Sequence, residues 1–183
     1  MKKWEKISEE VVYTNPWWTY KHDKYILPNE KVGDYYYVDI CPGSIVIPIL
    51  DEENEVKIVM AKQYRYLVKN FSIEFPMGGK KENQTQEECA LAELEEETGY
   101  KANKIEFVGK FFPAMGFSKD VSSIYMARDL VKTKINFDET EEIEVLIKTP
   151  KEIDKMMENG EISNGQTLVA WMLVRNKIIN NLK

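Results

Sequence analysis

Three glutamates, Glu93, Glu96 and Glu97, lie close together just after a glycine pair, Gly78 and Gly79, in the stretch GGKKENQTQEECALAELEEETGY of residues 78–100. Thr85 followed three residues later by Glu88 reads as a capping box, and Gly99 suits the left-handed residue past a helix end, so the spacing predicts a helix over 86–98. At about 100° per residue, Glu93, Glu96 and Glu97 share one arc, expected to face solvent, while Ala90, Leu91, Leu94 and Thr98 form a separate arc for the core. Glu95 points elsewhere. Like charges at these spacings destabilise a bare helix by roughly a few tenths of a kcal/mol per pair, so the trio calls for a partner. Mg²⁺ or Mn²⁺ would be one, because hard cations take oxygen ligands and bridge to substrate phosphates. An isolated acidic run is ordinarily a solvated helix face. Cap, glycines and shared arc together argue instead for a divalent-metal site facing a phosphate.

The rest of the chain must position that helix. Residues 9–41 alternate aromatic and polar types, punctuated by Pro16, Pro28 and Gly33, which predicts strands of a meander. Residues 44–50 and 56–61 are expected to pair across the polar turn 51–54, and Phe71–Phe75 to form a short strand ended by Pro76. After the helix, 104–112 and 123–127 read as strands joined by a loop at 113–118, and Val145–Ile147 as another. Pro150 at a first-turn position starts a helix through Glu158 that Asn159-Gly160 stops, and Leu168, Trp171, Met172 and Val174 support a last helix over 164–181. The fold class expected is α/β in the α+β sense, a mixed sheet sandwiched between helices behind an N-terminal antiparallel region. Two stretches follow from this: residues 1–42 as the strand region, expected to share in a dimer interface, and 43–183 as one compact catalytic unit.

With 183 residues the chain can bury roughly 70% of its unfolded surface in one domain. Its 25 Lys and Arg against 31 Asp and Glu give a net charge of −6, which argues against a nucleic-acid surface and leaves an anionic substrate in need of a local bridging cation. Cys41 and Cys89 have no metal or redox spacing and read as two small buried thiols in a reducing cytoplasm. His22 is the only histidine, which excludes a His-based metal site or nucleophile. The first residues lack the apolar run of a signal peptide and no segment approaches a membrane span, so a cytoplasmic protein with no membrane partner is expected.

The stretch from Gly78 to Tyr100 resembles the signature box of the Nudix hydrolases, in which glycine, five residues, Glu, and seven residues precede Arg-Glu-apolar-x-Glu-Glu-x-Gly-apolar. Gly78, Glu93, Leu94, Glu96, Glu97, Gly99 and Tyr100 match; Gln84 stands where the pattern has Glu, and Ala92 where it has the Arg that braces the catalytic carboxylates. Further segments, Gln63-Tyr64-Arg65-Tyr66, Glu74-Phe75-Pro76-Met77-Gly78, Gly116-Phe117-Ser118 and Gly160-Glu161-Ile162 through Ala170, are similar to the ADP-ribose and ADP-sugar pyrophosphatase branch. The resemblance implies a Nudix-type sheet sandwich and hydrolysis of a nucleotide-sugar diphosphate to AMP and a sugar phosphate, with Mg²⁺ and possible use of Mn²⁺. It implies metal ligands at Glu93, Glu96, Glu97 and the Met77 carbonyl. Glu96 either ligates or orients, and Gly78 lies along the substrate.

Other residues keep two readings. Arg65 has a guanidinium fork suited to a diphosphate, or is a surface arginine at a strand end; Glu74 bonds a ribose hydroxyl, or is an edge-strand carboxylate. Trp17 and Trp18 give an adenine ring its aromatic face, or divide between interface and surface. The aromatic-rich first 40 residues exceed what a small sheet hides, which points to a homodimer. The acidic run 137–144 is a solvated loop, or by resemblance carries the water-activating base at Glu139 or Glu141, with Glu139 ranked first and Asp120 a weaker candidate. Two other activities share this pattern: a Nudix hydrolase for another nucleotide sugar, dinucleotide or damaged nucleotide, and an ADP-ribose-binding module with little catalysis, which Gln84 and Ala92 would favour.

If Glu139 accepts the proton of the attacking water, Glu139→Gln lowers kcat strongly with little change in KM, and Glu141→Gln does less. Steady-state kinetics showing near-normal kcat in both variants would reduce the loop to a solvated connection.

Overall fold

The computed structural model describes residues 2–52, 55–133 and 142–180. In chain order its elements are β1 (Glu5–Thr14), β2 (Trp18–Ile26), β3 (Val32–Ile40), β4 (Gly43–Glu52), β5 (Glu55–Arg65), β6 (Asn70–Glu74), β7 (Met77–Gly79), α1 (Gln86–Thr98), β8 (Tyr100–Phe111), β9 (Ser118–Lys119), β10 (Ser122–Lys132), β11 (Ile143–Lys148), α2 (Pro150–Glu158) and α3 (Gly165–Asn180). They divide into two compact units, Met1–Pro42 with Phe112–Val121, and Gly43–Phe111 with Ser122–Lys183.

The first unit is a four-stranded sheet in the order β1-β2-β3-β9. β2 and β3 pair without a slip from Trp18 opposite Ile40 to Ile26 opposite Val32, closed by the Leu27–Lys31 turn, where Leu27 N donates to Lys31 O at 2.8 Å. Lys21 binds Asp39 at 2.8 Å and Glu9 at 3.2 Å, so one ammonium ties three strands together. Lys6 and Lys21 hold the Glu9 carboxyl down to about 2. The single histidine is a cross-strand residue: His22 Nε2 lies 2.7 Å from Asp34, and its ring stacks on Tyr36 with centroids 4.3 Å apart.

The second unit is built around β4. Its residues alternate between two faces, as a strand must. Ile45, Ile47 and Ile49 pack with Ile58, Met60, Phe75, Ile153, Trp171, Val174 and Ile178 on the face covered by α2 and α3. Val46 packs on the other face with Val59, Ala90, Leu94, Tyr125 and Ala127, against α1. A strand buried on both sides must be apolar throughout, which accounts for the unbroken run Ile45–Leu50. The sheet order is β11-β5-β4-β10-β8, with β6 beside β5 and β7 beside β4. β4 runs parallel to β10 over Gly43–Pro48; along its other edge it pairs antiparallel with β7 at Gly43–Ile45 and with β5 at Ile49–Glu52. Mixed sheets with three helices give the expected sandwich.

The helix signals hold in detail. Thr85 and Glu88 form both bonds of the capping box on α1, Gly99 closes it at φ 69°, and Thr149 with Glu152 repeats the box on α2 behind Pro150. Three differences stand out. The glycine pair, for which the sequence announced no strand, lies in one, Met77–Gly79, because Gly43–Ile45 offers it an edge to pair with. β8 and β10 are longer than the apolar runs that announced them, since they stay paired, past a shift of register between Ile124 and Tyr125, as far as Lys132 opposite Tyr100. Cys41 is exposed, so only Cys89 is the buried thiol expected. Among the described residues no helix is long and apolar enough to cross a membrane.

α2 and α3 are joined by Asp154, which accepts from Trp171 Nε1 at 2.8 Å and from Arg175 Nε and Nη2 at 2.7 and 2.6 Å. The Arg175 guanidinium, aided by Trp171, holds the Asp154 carboxyl below its ordinary value of 3.8. A pKa lower in the folded state contributes stability that is present above the unfolded value and lost as pH falls through the folded one. Asp154→Asn should therefore lower the thermal midpoint at pH 7 and shrink the further loss of stability on going from about pH 5 to about pH 3. Melting curves across that range test it, with Glu9, Glu88 and Glu152 supplying a residual slope common to both proteins.

Candidate active site

The acidic helix is fastened at two points, to β4 and to the glycine strand β7. Ser44 Oγ, at the start of β4, lies 2.6 Å from the carbonyl of Gln86 and 2.6 Å from its side-chain oxygen, which pins the first turn of α1. One turn on, Cys89 Sγ lies 3.6 Å from the Gly78 carbonyl, and burial raises the pKa of that thiol. The backbones are close enough that a Cβ on Gly43 would sit 3.2 Å from Gly78 O. A Cβ on Gly78 would overlap the Glu93 carboxylate. Glycine is therefore needed at position 78 for space: the missing side chain is the room in which Glu93 lies.

The three glutamates differ in setting. Glu93 is half-buried against β7, and the Glu96 side chain is 43% exposed with Lys81 Nζ 3.5 Å from Oε1. Glu97 is only 5% exposed, against the solvent-facing position its helical angle predicted. The reason is tertiary: a helix laid across a sheet buries more than the apolar arc alone, and Glu97 flanks Leu94 and Thr98 at its end. Glu95 turns away to Lys101, 3.1 Å distant. The donors are hard oxygens suited to Mg²⁺, yet among the described residues no three acidic, histidine or cysteine side chains gather around one point.

Arg65 and Glu74 are brought together, a pairing that neither of their sequence readings contains. Glu74 is fully buried, and its two oxygens accept from Arg65 Nε and Nη2 at 2.9 and 2.5 Å. The Arg65 side chain is 40% exposed. Strand β6 runs back along β5, with Arg65 opposite Asn70 and Ala61 opposite Glu74, so the pair closes the hairpin diagonally. Met77 lies in β7 opposite Ile45, its side chain against the core. Lys81 was missed by sequence reasoning; its only signal was a cation three residues after Gly78.

Trp17 and Trp18 belong to the first unit. Asn15 Oδ1 accepts from both of their backbone amides at 2.9 and 3.0 Å, Trp18 packs near Tyr13 with ring centroids 5.7 Å apart, and Trp17 is 75% exposed. The same unit holds a cleft of about 760 Å³ lined by Tyr35, Tyr37, Phe112, Met115, Lys119 and Asp120 among others, and by none of the box glutamates. Glu139 and Glu141 lie outside the described residues.

The NUDIX domain family matches residues 40–168, more than half of the chain. The chain belongs to the Nudix family. It is 32% identical to the ADP-ribose pyrophosphatase of Bacillus subtilis (strain 168) over 146 residues, covering 79% of this chain and 77% of that protein. It is 30% identical to the methanol dehydrogenase activator of Bacillus methanolicus over 131 residues, 70% of each. The crystal structure of an ADP compounds hydrolase matches its fold with a TM-score of 0.84, over 99% of this chain and 97% of that one, at 19% identity. This Nudix chain is accordingly a hydrolase, and β7 with α1 carries its signature box.

Because Gly78 makes room for Glu93, Gly78→Ala should push that carboxylate aside and leave the fold intact, since the atom in the way ends a flexible side chain. A fall in kcat of about 10²-fold with a nearly unchanged melting temperature is expected, the scale set by an ångström of misplacement in a catalytic group.

Proposed function

We propose that the chain hydrolyses the diphosphate of ADP-ribose or a related ADP-sugar, releasing AMP and a sugar phosphate, with Mg²⁺ as cofactor. The observation that carries this is the Glu93 carboxylate lying over side-chain-free Gly78, with Glu96 and Glu97 on the same helix. The 32% identity to a protein named ADP-ribose pyrophosphatase supports the substrate class.

Glu93, Glu96 and Glu97 would hold Mg²⁺ together with main-chain oxygen at Met77. When bound, the ion offsets the charge of the diphosphate and makes a water more acidic. The chain's own groups do the rest. Glu74 binds the Arg65 guanidinium through both of its oxygens and so fixes the direction of the side chain that would meet a phosphate oxygen. Glu139 is the first choice to accept the proton of the attacking water, with Glu141 second. Exposed Trp17, beside Trp18, offers a flat face for adenine, a contact worth roughly 1–3 kcal/mol. Every residue of β1 is exposed in the single chain, including Ile7, Val11, Val12 and Tyr13, which supports a homodimer formed through the N-terminal strands.

A binding module with little catalysis is the second reading, favoured by Ala92 in place of arginine. Product analysis separates the two. Purified protein with Mg²⁺ should convert ADP-ribose to AMP and ribose phosphate faster than it converts dinucleoside polyphosphates or nucleoside triphosphates. Glu97→Gln should lose at least about 10²-fold in kcat. Tight ADP-ribose binding without product would sustain the module instead.

A further inference from the structure

The box glutamates must point the right way before any cation reaches them, and three negative charges on two turns push one another apart. Ala92 offers them nothing, although it lies one turn before Glu96 on the same helix, where a long cationic side chain would reach that carboxylate. The cation that does reach it comes from outside the helix: Lys81 Nζ lies 3.5 Å from Glu96 Oε1. The turn that presents Lys81 is closed twice, since Gln84 N donates to Lys81 O at 3.3 Å and Lys81 N donates to Gln84 Oε1 at 3.0 Å. Thr85, the very next residue, caps α1. The base of Lys81 is thus fastened to the start of the helix whose glutamate it meets. A neutral amide at position 84 accepts that bond without adding a charge that would draw the ammonium away from Glu96.

We propose that Lys81 is a positioning residue for the box carboxylates, replacing from the loop the cation that Ala92 lacks, with Gln84 fixing the turn that aims it. This rests on the hydrolase reading above. The Lys81 and Glu96 side chains are 68% and 43% exposed, so the pair adds little to stability. Its effect is on direction: it holds Glu96.

The test combines kinetics with cation binding in the full chain. Lys81→Met should melt like the wild type and lose at least about tenfold in kcat on ADP-ribose, with KM little changed, the range found when a group orienting a metal ligand is removed. Lys81→Arg should keep most of the rate, and adding Ala92→Arg to Lys81→Met should restore it, whereas Ala92→Arg alone should be neutral or harmful. Mn²⁺ titrated into substrate-free protein and followed by electron paramagnetic resonance should bind Lys81→Met at least about tenfold more weakly, the loss found when a group that orients a metal ligand is removed, whereas an ammonium that only stands in for the cation would leave the affinity unchanged or raised. An unchanged kcat in Lys81→Met would mean that the ammonium merely stands where a metal ion would go. An unchanged or raised Mn²⁺ affinity, or a loss of rate that neither arginine restores, would likewise overturn the proposal. If the wild type hydrolyses no ADP-sugar, the substrate reading fails, and the Mn²⁺ comparison still decides the role of Lys81.

Discussion

Mutual repulsion among Glu93, Glu96 and Glu97 is the constraint around which this molecule is arranged, because α1 has to carry them and stay helical. Repulsion costs roughly a few tenths of a kcal/mol per pair. Against it stand the capping box at Thr85, contributing about 1 kcal/mol, and the complete burial of Leu94, contributing roughly 1.5–3 kcal/mol. The anchors exceed the strain by a clear margin, so the helix does not depend on a cation to form. The charges stay concentrated where an anionic substrate would require a counterion.

That anchoring depends in turn on β4. Its even-numbered Val46 faces α1 while its odd-numbered isoleucines face α2 and α3, so one strand holds both helical layers. One of its edges changes partner part-way, with β7 along the first three residues and β5 along the last four. Where the two partners separate, Val46 N donates to Pro76 O at 3.0 Å, which satisfies that backbone donor. The change of partner lets β7 leave the main sheet and run under α1, bringing Gly78 beneath Glu93.

Most of the secondary structure was legible because its signals are local. Thr85 with Glu88, Gly99, Pro150 and Asn159-Gly160 each act within one turn, and α1 and α2 start and stop where they indicate. The family and the box were legible for the same reason: their residues are close in sequence. What could not be read depends on distance in three dimensions. Glu97 is buried by the sheet laid against its helix, which helical angle alone does not include. Arg65 meets Glu74 only because β6 returns along β5 in one particular register. Lys81 reaches Glu96 from a turn whose closure by the Gln84 side chain has no sequence signature. Cys41 had no neighbours in sequence that could tell exposure from burial.

The two cysteines have a practical consequence. Cys41 meets solvent, whereas Cys89 is 1% exposed beneath the first turns of α1, against the carbonyl of Gly78. A thiol reagent reaches the first at once and the second only when the helix lifts from the glycine strand. The protein therefore carries a pair of chemical clocks, one running freely and one gated by the opening of the box itself. The ratio of their modification rates reports how often the glutamates part from the glycines, without any added label.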